Sequence, residues 1–256
     1  MTIFSNLLPY KSSPPILVYH QIALTTPEED PFRLGVPPEI FNAQMRYLKD
    51  NGYSTVALED YVDGVEITQQ KLDKMIVLTF DDGFLNNYTN AFPILQQYGF
   101  SATIFIVTDF IGKSKTWDAF GQDPLMEWSH LKEMSRFGIS FESHTCTHPD
   151  LTKISDEAVL QQYLCSKRKI EDILGTPVRH LAYPFGKYNQ RTIQLAEQVG
   201  FRSAFIGGLS GGGKFAKERF KVTSKENKFL FALKVSGWGS WIRKACHGKF
   251  MSAYKE

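Results

Sequence analysis

The sequence predicts an α/β protein built on a mostly parallel sheet, and three observations carry that prediction. The same helix-to-strand punctuation occurs at Asn51-Gly52-Tyr53-Ser54, Tyr98-Gly99-Phe100-Ser101, Phe137-Gly138-Ile139-Ser140 and Val199-Gly200-Phe201-Arg202. In each, a glycine takes the left-handed position past a helix and the next apolar residue drops into the core. The predicted strands are near-continuous apolar runs, the pattern of strands covered on both faces. Polar residues gather just past the C-terminal ends of those strands, where α/β sheets and barrels build their sites. The joints are irregularly spaced, so the chain is no solenoid. From the residues alone, an open doubly wound sheet and a closed barrel both satisfy the pattern.

In chain order, a short apolar run over 16–19 ends at His20, and the Pro- and acid-rich stretch 24–38 reads as an irregular loop. A helix over 39–50 presents Phe41, Met45 and Leu48 on one face. A short strand starts at Thr55, and the central strand, 75–80, leads into Asp81-Asp82-Gly83. A helix over 87–98, a strand over 101–107, a helix over 128–137 and a strand over 139–142 follow. The segment 109–124 shows no period. Ser155 is a natural N-cap, with Asp156 and Glu157 in the first turn of a long helix ending at Gly175. A strand over 180–183, a helix over 190–199 and a strand over 201–206 complete the readable part. Residues 215–256 give no clear reading beyond helical spacing of Trp238, Trp241, Ile242 and Ala245. A terminal helix packed on the sheet fits that spacing, and so does a peripheral membrane contact.

Composition bounds the function. The 256 residues are 43% hydrophobic, enough for one domain over 1–256 with a sizeable core. A net charge of +2 argues against nucleic acid as a partner. No GxGxxG follows a strand and no GxxxxGK[ST] occurs, so nucleotide binding is not indicated. No run reaches the roughly 18 apolar residues of a spanning helix. The three cysteines, Cys146, Cys165 and Cys246, are too few and too scattered for a disulfide framework and suit a reducing compartment. The N-terminal stretch MTIFSNLLPYKSSPP lacks the pattern of a signal peptide, so the expected location is the cytoplasm.

The chemistry centres on residues 75–83, MIVLTFDDG. Two carboxylates side by side at the mouth of an apolar strand repel each other and resist desolvation. A cation between them and further ligands would offset that cost. His144 and His148, within SHTCTH, supply two imidazoles at the same sheet end, and a helical turn there would point both the same way. Two imidazoles and a carboxylate are a common zinc set that leaves room for water. The protease motif HExxH is absent, because Thr145 follows His144. Which aspartate does which job is open from the residues alone.

Thr79-Phe80-Asp81-Asp82-Gly83 resembles the first motif of the polysaccharide deacetylases, carbohydrate esterase family four with the NodB-homology fold. The stretch from His144 to His148 is similar to their second motif, and Tyr183-Pro184-Phe185-Gly186 to their third, which lines the substrate groove. The resemblance runs roughly over 20–206. It implies a distorted (β/α) barrel with fewer than eight regular units. It also implies Asp81 as general base and Asp82, His144 and His148 as ligands of one divalent metal, Zn2+ first, with Co2+ or Ni2+ as alternatives. Tyr183, Pro184, Phe185 and Gly186 would contact a carbohydrate. The expected activity is hydrolytic N-deacetylation of a glycan or lipid-linked oligosaccharide. O-deacetylation and a glycan-binding pseudoenzyme are the alternatives. Two departures stand out. Ala182 occupies the place of the third motif's arginine, with Arg179 nearby in sequence. The family's C-terminal Leu-x-x-His is absent, and His247 sits in an unrelated context. Leu17-Val18-Tyr19-His20 has that spacing at the other end, as in the rearranged poly-N-acetylglucosamine deacetylases, which implies His20 as the catalytic acid.

Overall fold

Each apolar run named above finds cover on both faces by becoming a stave of a closed parallel barrel. The computed structural model describes residues 13–64, 72–120 and 122–236. β1 (Ile16–Tyr19) pairs with the central strand β3 (Met75–Phe80), which pairs on its other edge with β4 (Ala102–Ile106). The ladder continues through β5 (Ile139–Ser143), β6 (His180–Ala182), β7 (Ser203–Gly207) and β8 (Lys217–Lys221). β8 then pairs with β1, and the ring closes with every pairing parallel. The two-residue β2 (Ser54–Thr55) pairs only with the first residues of β3 and takes no stave of its own. The barrel therefore has seven staves, fewer than the usual eight, and the open doubly wound sheet is excluded.

Helices α1 (Pro38–Asp50), α2 (Leu58–Asp63), α3 (Phe92–Tyr98), α4 (Trp128–Ser135), α5 (Asp156–Leu174), α6 (Gln190–Val199) and α7 (Lys228–Val235) complete the described elements. The glycine joints have φ of 73° at Gly52, 69° at Gly99, 81° at Gly138 and 89° at Gly200, as their punctuation predicts. The helix expected over 87–98 begins instead as a π-turn, Asn87–Ala91, before α3. Pro93 has no N–H to give to the preceding turn, and Phe92 N–H reaches back to Asn87 O.

Two apolar regions shape the barrel, beside a third cluster of Phe84, Val107 and Leu125. The large one lies between the staves and the helices and takes Ile76, Leu78 and Phe80 from β3. The small one fills the barrel with Ile16, Val77, Phe105, Ala182 and Phe205, and Leu58 of α2 plugs its base. Alternation along β3 turns Val77 and Thr79 inward, and Asp81 inherits that inner face. β8 was not expected. Its sequence KERFK points Arg219 into the barrel, where a hydrophobic alternation would place an apolar residue. No helix among the described residues is long and apolar enough to cross a membrane. Trp238, Trp241, Ile242, Ala245 and His247 lie outside the described residues.

Candidate active site

The barrel mouth is built where β3 stops. Asp82 has φ of 73° and Gly83 of 82°, so two successive left-handed residues turn the chain sharply. A non-glycine residue there is costly, on the order of 1–3 kcal/mol, and persists only where its surroundings hold it. Asp81 still continues the ladder, its N–H donating to Tyr19 O at 3.0 Å. Asp82 is thrown across the mouth toward β5.

β5 delivers the histidines. His144 N–H donates to Ile106 O, extending the β4–β5 ladder by one residue. The chain then kinks at Thr145 (φ 70°) and His148 (φ 58°). The stretch is therefore not the helical turn that would have pointed both rings the same way. Convergence of the two rings comes from paired left-handed residues, fixed by side chains. Thr145 Oγ1 accepts from His148 N at 3.1 Å, and Gln162 of α5 accepts from both Cys146 N and Thr147 N at 2.9 Å.

The result brings Asp82 Oδ1 to 3.4 Å from His144 Nε2 and 3.4 Å from His148 Nε2. All three residues are buried. His144 Nδ1 lies 2.8 Å from Ala182 O, and a proton donated there leaves Nε2 as the atom that faces Asp82. Asp82 Oδ1 is a buried acceptor with no hydrogen-bond partner. Three donors each about 2.0–2.2 Å from a tetrahedral zinc stand roughly 3.3–3.5 Å apart, which matches the carboxylate–imidazole distances here. Charge agrees. Burial opposes ionisation of Asp82, but His144 beside it, with His148 and His20 nearby, outweighs that and holds the carboxyl well below its usual range. Burial drives His148 down to about 3, with Asp82 only partly opposing, so its imidazole is neutral. For His144, burial is overcome by Asp82 and Asp81, and its pKa is raised. The three residues fit one divalent cation.

Asp81 is held from a different direction. Arg219 of β8 clasps it with two parallel bonds, Nη1 to Oδ1 and Nη2 to Oδ2, each 2.7 Å. The same guanidinium donates to Thr79 Oγ1 and to Ile206 O, both at 3.2 Å. Its plane lies over the Phe105 ring, 5.1 Å from the centroid. Arg219 is fully buried and Asp81 nearly so. Burial pushes the Asp81 carboxyl up, yet Arg219 above all, then His144 and His20, bring it below its ordinary value. Arg179, the arginine nearest the third motif, instead pairs with Glu59 at the surface. The arginine missing at Ala182 is thus supplied by β8, from the stretch that gave no sequence reading.

His20 follows β1, whose Tyr19 lies opposite Phe80, so His20 and Asp81 leave neighbouring staves side by side. Three asparagines of the segment after Gly83 fix that exit. Asn87 donates to His20 O at 2.7 Å, Asn86 Oδ1 accepts from Ile22 N at 3.0 Å, and Asn90 donates to Ile22 O at 2.7 Å. His20 Nδ1 is buried with no hydrogen-bond partner. Burial lowers the His20 pKa, while Asp82 and Asp81 pull partly the other way.

The third-motif residues divide. Tyr183 and Pro184 are buried, and Tyr183 stacks on Tyr188 at 5.4 Å, away from the mouth. Its N–H donates to Phe205 O at 3.0 Å. Phe185 is exposed, with φ of 59°, and sets its ring 4.5 Å from His148. Gly186 completes that turn at the surface (φ 65°). Trp117, from the segment without period, covers His148 on another side at 4.8 Å. Phe32 and Phe120 form an exposed edge-to-face pair beside the same opening.

A family profile described as polysaccharide deacetylase matches residues 68–204. The chain is 35% identical over 190 residues to the Bacillus subtilis protein YxkH, covering 73% of this chain and 62% of YxkH, less than two thirds of that relative. It is 30% identical over 215 residues to a poly-beta-1,6-N-acetyl-D-glucosamine N-deacetylase of Staphylococcus epidermidis, covering 76% of this chain and 72% of that one. Among solved structures, the Streptococcus pyogenes deacetylase PplD in complex with acetate superposes with a TM-score of 0.75 at 27% identity. That match covers 87% of this chain and 99% of PplD.

Proposed function

Because the chain belongs to the polysaccharide deacetylase family, we propose that it is a metal-dependent hydrolase removing N-acetyl groups from an N-acetylated glycan. The observation that carries this reading is the buried Asp82–His144–His148 cluster beside an aspartate clasped by a buried arginine. Asp82, His144 and His148 would hold the metal, which when bound would polarise the acetyl carbonyl and lower the pKa of water. Asp81 is the general base. Arg219 keeps it ionised across the working pH range and fixes both its oxygens, so its orientation costs nothing at the moment of proton transfer.

His20 is the acid that protonates the leaving amine. Burial lowers its pKa, which makes the charged form a readier proton donor, and the two aspartates partly oppose that shift. The exposed Phe185, Phe32 and Phe120 offer flat apolar faces to sugar rings. An N-acetylhexosamine polymer is the proposed substrate class, by analogy with the staphylococcal relative.

O-deacetylation would use the same residues. The glycan-binding pseudoenzyme rested on Ala182 standing where the family has arginine, and Arg219 removes that support. Acetate release from a panel of N-acetylated glycans, with and without a chelator, tests the proposal. We expect release from at least one N-acetyl polymer, its loss with the chelator and its return with added zinc. Release from O-acetyl esters alone would favour the esterase. Release that a chelator leaves intact would end the metal reading.

A further inference from the structure

We propose that Cys146 and Cys165 form a reversible disulfide that ties the loop carrying His144 and His148 to α5 and weakens the metal site. The cysteines are far apart in the chain, yet their sulfurs and an Asp109 carboxylate oxygen all lie within 4.8 Å of one another. Both are free thiols. Cys146 is buried between the two histidines, with its thiol donating to Gln162 O at 3.6 Å, less than one turn before Cys165 on α5. The Gln162 side chain adds bonds to Cys146 N, Thr147 N and Thr147 Oγ1. Loop and helix are therefore already held in register. A disulfide needs the sulfurs about 2.05 Å apart and Cβ atoms about 3.5–4.5 Å apart.

The exposures set the order of events. Cys165 is exposed and meets the oxidant first. Its thiolate attacks a low-molecular-weight disulfide such as oxidised glutathione, releasing one thiol and leaving a mixed disulfide. Cys146 sulfur then attacks the Cys165 sulfur of that bond and expels the second thiol. The Cys146 proton passes to the Asp109 carboxylate and on to water. Two protein thiols lose two electrons and two protons, and the small disulfide gains them as two thiols. The same trio of donors would also suit a second, thiophilic metal. The pairing of Asp109 with Lys169 at 3.2 Å opposes that use.

The effect on the site follows from where Cys146 sits. Closing the bond draws it toward the helix and removes its bond to Gln162 O. Thr145 and His148 hold left-handed backbone on either side, so a shift of Cys146 is passed to both histidines. This consequence rests on the reading of His144 and His148 as metal ligands, whereas the cross-link itself does not.

The test uses the full chain equilibrated in buffers of graded reduced-to-oxidised glutathione ratio, quenched, alkylated and digested with trypsin. Cleavage after Lys153 separates the two cysteines. We expect a linked peptide pair that accumulates as the buffer becomes oxidising and disappears with dithiothreitol. Zinc affinity, read by competition with a chromophoric chelator, should fall about tenfold or more in the linked form, the range typical of displaced outer-shell support. Cys165→Ser should bind zinc normally and show no response to the oxidant. The proposal is overturned by glutathione held on Cys165 while Cys146 stays alkylatable, by a link to Cys246, or by a link that leaves zinc affinity unchanged. A second zinc in the reduced chain, lost in Cys165→Ser, would overturn it in favour of a metal site. A reduced chain that binds no zinc would break the metal reading, and the peptide map would still decide the pair.

Discussion

On the β3–β5 side of the barrel mouth, Asp82, Thr145 and His148 sit in left-handed backbone, and their side chains converge within one local stretch of chain on each strand. On the β8–β1 side, Arg219 and His20 come from or just past regular staves that lie at opposite ends of the described chain. The first side stores its cost as backbone strain, held by short-range hydrogen bonds. The second stores it as desolvation of a charged pair, offset by near-complete hydrogen bonding of the guanidinium. Strain of the first kind needs particular residues at particular spacings. A buried cation of the second kind needs only to arrive, from whichever strand reaches the place. The family profile covers residues 68–204, which contain the first side and neither residue of the second.

The comparison breaks most sharply at the histidines. His148→Ala should abolish stoichiometric zinc binding and reduce acetate release to background, while the circular dichroism spectrum stays that of the folded barrel. Zinc retained at wild-type affinity would show that the strained side does not hold the metal. Asp81→Asn, next to Asp82 past β3 but facing the other side, should keep the zinc and lose roughly 10²–10⁴-fold in rate.

Arg219→Met tests the desolvated side. It leaves the Asp81 carboxylate buried without its partner, which costs about 3–5 kcal/mol in comparable buried pairs. The variant should melt at lower temperature, and Asp81→Asn added to it should restore part of the loss. The sign follows from the lowered Asp81 pKa. In the wild type this pair contributes stability above the ordinary carboxylate value that is lost as pH falls through the lower folded value. The deficit of Arg219→Met should therefore shrink in acid. A deficit that does not change with pH would mean that lost packing on Phe105 and Phe205, not charge, dominates.

His20→Ala should leave zinc and stability nearly unchanged and slow an N-acetyl substrate by roughly 10²-fold. An activated acetyl ester, with a better leaving group, should suffer less. Equal losses on both would make His20 a support of the site and not its acid.

The smallest effect on activity lies outside the mouth and serves as a control. Burial raises the Glu142 carboxyl to about 8, against hydrogen bonds from the His180 and Arg179 N–H groups. The folded state keeps this proton over a range where the unfolded chain, near pH 4.5, has lost it. Stability from this group thus falls as pH rises from about 4.5 to 8 and is level beyond. Glu142→Gln should gain stability relative to wild type over that window, and a melting-temperature difference that is flat with pH would contradict it.

Much of the fold was legible because helix–Gly–strand joints and apolar runs are local signals. The cluster of Asp82, His144 and His148 was legible as residue types, but how the rings meet was not: they converge through Thr145 and His148 in left-handed backbone and not through helical spacing. β8 was hidden because KERFK sends an arginine into the barrel, the reverse of an apolar alternation. Arg219 had one usable signal. A buried aspartate whose expected arginine is replaced by Ala182 requires a cation from elsewhere, and Arg219 stands between an acid and an aromatic in a period-two segment followed by the fully buried Val222. The asparagines Asn86, Asn87 and Asn90, which fix the exit from β1, formed no part of the sequence reading.

The clasp of Arg219 on Asp81 spans 138 positions. The ring cannot close until β8 has been made, because β1, the first stave synthesised, finds its second neighbour only there. The proposed metal ligands all lie between residues 82 and 148 and are complete much earlier. Emerging from a ribosome, the chain holds Asp82, His144 and His148 before it can orient Asp81. The last stave therefore governs the moment at which the nascent chain gains an oriented Asp81 carboxylate.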